Sequence, residues 1–127
     1  MTRLEHVNIT VADPDATADL FCRLFGWHLR WSGKAMQTGR TVHVGDADSY
    51  VALFTFGDAA AVSTDSYRTR GALNHIAVVV DDLDQTERRI KTAGYVTESH
   101  ANYEPGRRFY FTEENGIEIE VVSYPRP

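Results

Sequence analysis

Cysteine is nearly absent: Cys22 is the only one in 127 residues, so no disulfide can form within the chain. A disulfide-stapled secreted scaffold is thereby excluded, and a reducing compartment is expected. No apolar run approaches the length needed to span a bilayer. Basic excess is missing too, with 13 Lys and Arg against 18 Asp and Glu, a net charge of −5. The positive residues are scattered rather than striped, so nucleic acid is not expected as a partner. Met1 to His6 leads straight into a strand-like pattern, so no signal peptide is expected. These absences together imply a cytoplasmic protein with no membrane partner.

What is present is ordinary globular composition, 43% hydrophobic and 24% charged, in a length that suits one domain. The informative feature is an internal repeat. Leu4-Glu5-His6-Val7-Asn8-Ile9-Thr10-Val11-Ala12-Asp13 aligns without a gap on Leu73-Asn74-His75-Ile76-Ala77-Val78-Val79-Val80-Asp81-Asp82, an offset of 69 residues (75 − 6). Each segment alternates like a strand, and each leads into a helix. Asp13 is the expected N-cap of the first helix with Pro14 at its first position, and Gly26 its stop. Asp82 and Gly94 play those parts in the second copy.

Three strands are expected after each helix: about 28–32, 37–44 and 50–56, then about 95–100, 107–112 and 117–123. Glu114-Asn115-Gly116 carries the signal of a tight hairpin before the last strand. The expected architecture is α+β: two βαβββ modules whose curled mixed sheets surround a cleft, with helices on the outer faces. The first module spans about 1–57, a small-residue-rich linker 58–71, and the second module about 72–124, together forming one unit.

Strand alternation divides the faces. Val7, Ile9 and Val11 should face the helix, with His6, Asn8 and Thr10 opposite; likewise Ile76, Val78 and Val80 against His75, Ala77 and Val79. In the last strand Glu118, Glu120 and Val122 take the face away from the helix. Two imidazoles and a carboxylate on uncovered faces are the donor types of a facial metal triad that leaves positions open for substrate. Cleft-lining histidines satisfied by hydrogen bonds, with Glu120 merely hydrogen-bonded, are the alternative.

At these residues the chain resembles the vicinal oxygen chelate superfamily, which includes glyoxalase I, extradiol dioxygenases, fosfomycin-resistance enzymes and bleomycin-binding proteins. The matching pieces are Leu4 to Val7 with Asp13, Leu73 to Ile76 with Asp81-Asp82, and Phe109-Tyr110-Phe111 through Asn115 to Glu120. The resemblance implies that His6, His75 and Glu120 bind a divalent metal, with Fe, Mn, Ni and Zn all open. It implies a small-molecule substrate and a homodimer, with two arrangements open: His6 meeting His75 and Glu120 of the other chain, or all three ligands coming from one chain. A fourth ligand used by glyoxalase I aligns with Ala52, which cannot ligate, so the three-ligand members fit better.

In the dioxygenases and fosfomycin enzymes a tyrosine ten residues before the glutamate contacts the substrate, which makes Tyr110 the implied catalytic group. The acid–base histidine of the dioxygenases has no match at Tyr50 or Val51; His43 and His100 are the substitutes on offer. Substrate contacts are expected from Asn8, Tyr50, Ala52, Phe54, His100 and Arg108. Glu118 is an alternative ligand, Trp31 and Phe56 are further pocket aromatics, and Cys22 reads as a small core residue. The leading activity is extradiol-dioxygenase-like. A fosfomycin-type thiol transferase or other glyoxalase-like lyase or isomerase is the second reading, and a metal-free drug-sequestering protein the third.

Overall fold

The amphipathic pattern around Leu20, Phe21 and Leu24 does form a helix, and its ends fall where the capping residues stand. A computed structural model of the protein describes residues 1–35, 38–61, 65–103 and 106–125. The chain divides into two compact units, Met1–Ala60 and Ala61–Pro127.

The first unit runs β1 (His6–Thr10), α1 (Pro14–Phe25), β2 (His28–Lys34), β3 (Arg40–Gly45) and β4 (Tyr50–Thr55). Asp13 caps α1 by accepting the Ala16 N–H at 3.2 Å, and Gly26 ends it in the left-handed region at φ 69°. The strands form one mixed sheet in the order β1-β4-β3-β2, with β1 parallel to β4. α1 packs on β3 and β4, and Phe21, Leu24, Val42, Val44 and Leu53 are fully buried. Each such side chain contributes roughly 1.5–3 kcal/mol by leaving water. The expected start of β3 at Gln37 lies outside the described residues; the strand begins at Arg40.

The second unit repeats the plan with β5 (Ile76–Val79), α2 (Leu83–Thr92), β6 (Glu98–Tyr103), β7 (Gly106–Thr112) and β8 (Glu118–Ser123), in sheet order β5-β8-β7-β6. Asp82 caps α2 through the Gln85 N–H at 3.0 Å. Leu83 and Ile90 bury the helix face, and Phe109, Phe111, Ile119 and Val121 fill the core. Each unit is therefore a βαβββ module with a four-stranded mixed sheet and one helix, the α+β architecture expected.

Three local expectations need correction. β6 starts at Glu98, not Tyr95, and runs on to Tyr103, with a register shift before Ala101 and Ser99 at φ 57°. The turn before β8 is not a two-residue hairpin. It spans 113–117, and the buried carboxylate of Glu113 accepts the N–H groups of Asn115 (2.7 Å) and Ile117 (3.0 Å) while Gly116 takes φ 83°. Finally, the linker holds a 3-10 turn, Ser66–Arg68, capped by Asp65.

Candidate functional site

In the second unit the β7–β8 ladder sets Tyr110 directly opposite Glu120, and the parallel β5–β8 pairing sets Ala77 on the other side of Glu120. His75 lies two residues before Ala77, so strand alternation brings its ring to the same face. The Glu120 carboxylate is buried and fully engaged. Its Oε1 accepts from the Tyr110 hydroxyl at 2.9 Å and lies 3.2 Å from His75 Nε2, and its Oε2 accepts from Arg108 Nη1 at 2.9 Å. A buried carboxylate requires such compensation. Arg108 is itself held, by the Gly106 carbonyl at 3.3–3.4 Å and over the Tyr103 ring at 5.0 Å. Burial, then the bond to Glu120, pushes the Tyr110 hydroxyl up to about 12, so it remains a donor.

The other nitrogen of His75 also has a neighbour. The Tyr67 hydroxyl, from the inter-repeat turn, stands 3.4 Å from Nδ1 and donates to Glu118 Oε1 at 2.8 Å. The Tyr110 ring meets His75 edge to face at 5.6 Å.

The first unit carries a different group at the matching positions. His6 pairs with Tyr50 across the β1–β4 ladder, and their rings stack at 4.7 Å. Glu5 Oε1 accepts from His6 Nδ1 at 2.9 Å and from the Tyr50 hydroxyl at 3.2 Å. His43 stacks on Tyr50 at 4.5 Å, and Trp31 stands 5.1 Å from His43. A register shift between Leu29 and Trp31 puts Arg30 and Trp31 opposite the single residue His43. That bulge sends both side chains toward the stack, with the Arg30 guanidinium 4.6 Å over the Tyr50 ring. Burial first, then the charges of His6 and Arg30, lowers the His43 pKa below its ordinary value.

The two ladders can be compared position by position. Asn8, Ala52, His43 and Trp31 are successive cross-strand partners in the first sheet; Ala77, Glu120, Tyr110 and Glu98 are in the second. Ala52 thus occupies the counterpart of Glu120, and His43 that of Tyr110. Phe54 pairs with Thr10 and packs edge to face on Phe56 at 4.6 Å.

Of the residues singled out in the sequence, His75, Glu120, Tyr110 and Arg108 meet in one group. His6 and Tyr50 meet in another, with Asn8, Ala52 and Phe54 along the same ladder. His100 does not join either. It lies in β6, bonded through Nε2 to Glu87 Oε2 at 2.5 Å, with its ring 5.8 Å from the buried Phe109. The register shift in β6 turns it to the helix side. Within neither unit do three His, Cys, Asp or Glu side chains gather among the described residues. The fit to a cation is that of a paired donor set: one imidazole nitrogen and one carboxylate oxygen 3.2 Å apart, with the second histidine in the other unit. Sequence reasoning missed Glu5, Arg30 and Tyr67. Glu5 lies inside the first repeat segment but aligns with Asn74, so the repeat does not mark it; Arg30 is placed by the strand register and Tyr67 by the fold of the linker.

The family model for the Glyoxalase/Bleomycin resistance protein/Dioxygenase superfamily matches residues 3–121, and the chain belongs to that superfamily. Among solved structures, a glyoxylase/bleomycin resistance protein/dioxygenase domain from Frankia sp. EAN1pec is similar over 99% of this chain and 94% of its own, with TM-score 0.81 and 20% identity. The antibiotic-binding protein TnmS3 from Streptomyces sp. CB03234 matches over 98% of both chains, with TM-score 0.74 and 20% identity. The fosfomycin resistance protein FosX from Mesorhizobium loti matches over 96% of this chain and 91% of its own, with TM-score 0.72 and 21% identity. A Listeria monocytogenes FosX of the same fold (TM-score 0.74, 18% identity, covering 98% of this chain and 94% of its own) is complexed with Mn(II) and sulfate. No curated protein matches the sequence significantly. No described helix is long and apolar enough to cross a membrane.

Proposed function

We propose that this protein is a metal-dependent enzyme of the superfamily acting on a small aromatic substrate with two neighbouring hydroxyls, an extradiol-dioxygenase-like activity. His6, His75 and Glu120 are the proposed ligands. The observation that carries the reading is the approach of His75 Nε2 to Glu120 Oε1 at 3.2 Å, beside the protonated Tyr110 hydroxyl. The metal, when bound, supplies Lewis acidity toward two adjacent substrate oxygens. Tyr110, by swinging its one proton from Glu120 Oε1 to the substrate, would donate a hydrogen bond to an oxygen as negative charge develops there. His43, kept neutral near pH 7 by its lowered pKa, is suited to accept a substrate proton, the part for which no histidine stands at Tyr50 or Val51. Trp31, His43 and Tyr50 offer ring faces to a flat substrate.

Metal analysis and oxygen uptake test this. Protein loaded with Fe(II) or Mn(II) should hold about one ion per chain, lose it in Glu120→Gln and His75→Ala, and consume oxygen with a catechol. Failure to bind any divalent metal in excess sinks the proposal. If metal binds and catechols are inert, thiol consumption with fosfomycin decides for the transferase reading, which uses the same three ligands. We place the protein in the cytoplasm as a homodimer, with His6 joining His75 and Glu120 either of its own chain or of the partner; light scattering measures the mass.

Two observations favour a metal-free alternative. Arg108 already neutralises Glu120 at 2.9 Å, and Trp31 leaves half its surface exposed, as a drug-sequestering protein would require. Tight binding of an aromatic drug, unaffected by a chelator, would identify it.

A further inference from the structure

The geometry points to Arg30 as a specificity-determining residue that pairs with a carboxylate on the aromatic substrate, so that an anionic catechol is preferred over a neutral one. The proposal rests on reading the ring cluster of the first unit as the place where a flat substrate lies. It uses groups of that unit alone.

Arg30 reaches the cluster through an irregularity of its strand. In a regular β2 it would point to the face opposite Trp31. The shift between Leu29 and Trp31 makes it the extra residue, and its guanidinium rests 4.6 Å over the Tyr50 ring. The ring of His6, a proposed metal ligand, packs on the same tyrosine at 4.7 Å. With one phenol as their common neighbour, the cation and His6 stand within reach of two ends of one substituted ring.

The guanidinium is held in place without being neutralised. Nη1 donates to the Asp46 carbonyl at 3.2 Å, and the contact with Tyr50 steadies the plane. Arg23, Arg40, Arg68, Arg107 and Arg108 each have a carboxylate at 2.7–3.7 Å. Among the described residues Arg30 has only the carbonyl and the ring. The two acids that feel its charge, Glu5 and Asp46, are engaged elsewhere. Glu5 Oε1 accepts from His6 and Tyr50, and Asp46 Oδ1 from the N–H groups of Asp48 (2.8 Å) and Ser49 (3.0 Å). A guanidinium has five N–H donors in a planar fork, so donors remain for a bidentate carboxylate.

Trp31, the next residue, supplies a ring face beside this cation. It stands 5.1 Å from His43 and is 51% exposed. Its indole lies against Gly33, where any Cβ would come within 2.7 Å of it, so the glycine provides the seat. A flat apolar surface next to a cation with free donors matches an aromatic carboxylate. The second sheet offers no such pair, since Glu98 stands at the counterpart of Trp31.

The test is calorimetric titration of the full chain under argon, metal-free and again with Mn(II), at about pH 7.5, where a benzoate is ionised. The probes are 3,4-dihydroxybenzoate and its neutral methyl ester. Wild type should bind the acid about 10- to 100-fold more tightly than the ester, as a charge-assisted bidentate pair provides, and added salt should narrow the gap. Arg30→Gln should abolish the preference while leaving ester affinity within about twofold, and Arg30→Lys should keep part of it. Equal binding of both probes by wild type, or of neither, would overturn the proposal. So would an Arg30→Gln variant that weakens both alike, which would reduce Arg30 to a support for Tyr50. Mn(II) uptake without a preference for the acid removes the proposal and leaves the metal reading standing. An Arg30-dependent preference in a protein that takes up no Mn(II) upholds the proposal and removes the metal reading.

Discussion

Tyr110 and Glu120 face each other across the β7–β8 ladder, ten residues apart in sequence, and are joined by a 2.9 Å hydrogen bond. The bond is made by a buried carboxylate and a hydroxyl that stays protonated, so its loss leaves one lone pair of Glu120 short of a donor. Tyr110→Phe should therefore destabilise the protein by about 1.5–3 kcal/mol, the range for hydrogen bonds to charged groups. Urea unfolding with an unchanged m-value is the measurement. If the proposed chemistry holds, turnover should fall more than metal affinity, because the phenol acts on developing charge rather than on the ion.

Tyr110 shows why part of the site was legible beforehand. The resemblance singled out Tyr110, and equal parity across a regular antiparallel pairing agrees with Tyr110 and Glu120 sharing one face. The repeat likewise located His6 and His75 at equivalent strand ends, and Asp13, Pro14, Gly26 and Asp82 marked the helix ends by local chemistry. His100 stands apart from both groups in the structure. The register shift in β6 inserts a residue, and parity no longer predicts the face. The shift at Arg30 had the reverse effect, adding a cation to the stack on Tyr50 that alternation would have pointed elsewhere. Tyr67 was hidden because a turn inside a linker depends on backbone folding that composition does not reveal.

Arg108 and Glu120 form the most buried ion pair among the described residues, with side-chain exposures of 12% and 9%. Removing one partner of such a pair strands the other. Arg108→Met should cost about 3–5 kcal/mol, and adding Glu120→Gln should recover much of that loss. A double-mutant cycle from urea unfolding would read this as a coupling well above the scatter of independent sites. Additive effects would mean that Arg108 matters only through its packing on Tyr103.

Glu113 stabilises the turn between β7 and β8 rather than the site. It is 4% exposed and accepts from Asn115 N–H, Asn115 Nδ2 and Ile117 N–H at 2.7–3.0 Å. Glu113→Ala leaves those donors without their partner. A loss of about 2–4 kcal/mol is expected from bonds to a charged group, with Glu113→Gln milder because it keeps one acceptor. Thermal unfolding of the two variants side by side measures the difference. Equal Tm values for all three proteins would show that water replaces the carboxylate without cost.

His43 sets a pH dependence of known sign. Burial holds its pKa below the ordinary value of 6.5, so in acid the unfolded chain takes up this proton before the folded one. The contribution is fully present above about 6.5 and is lost as pH falls toward the folded-state pKa. Glu5, Asp15 and Asp46 also have lowered values, for which the losses fall in the lower carboxylate range, so the two windows are separable. His43→Phe keeps a ring in the stack with Tyr50 and Trp31 and removes the titration. Its stability should be flatter than wild type just below about pH 6.5 and parallel to it at lower pH. Unfolding free energies measured across both windows test this, and an unaltered slope just below about pH 6.5 would assign the effect to another group.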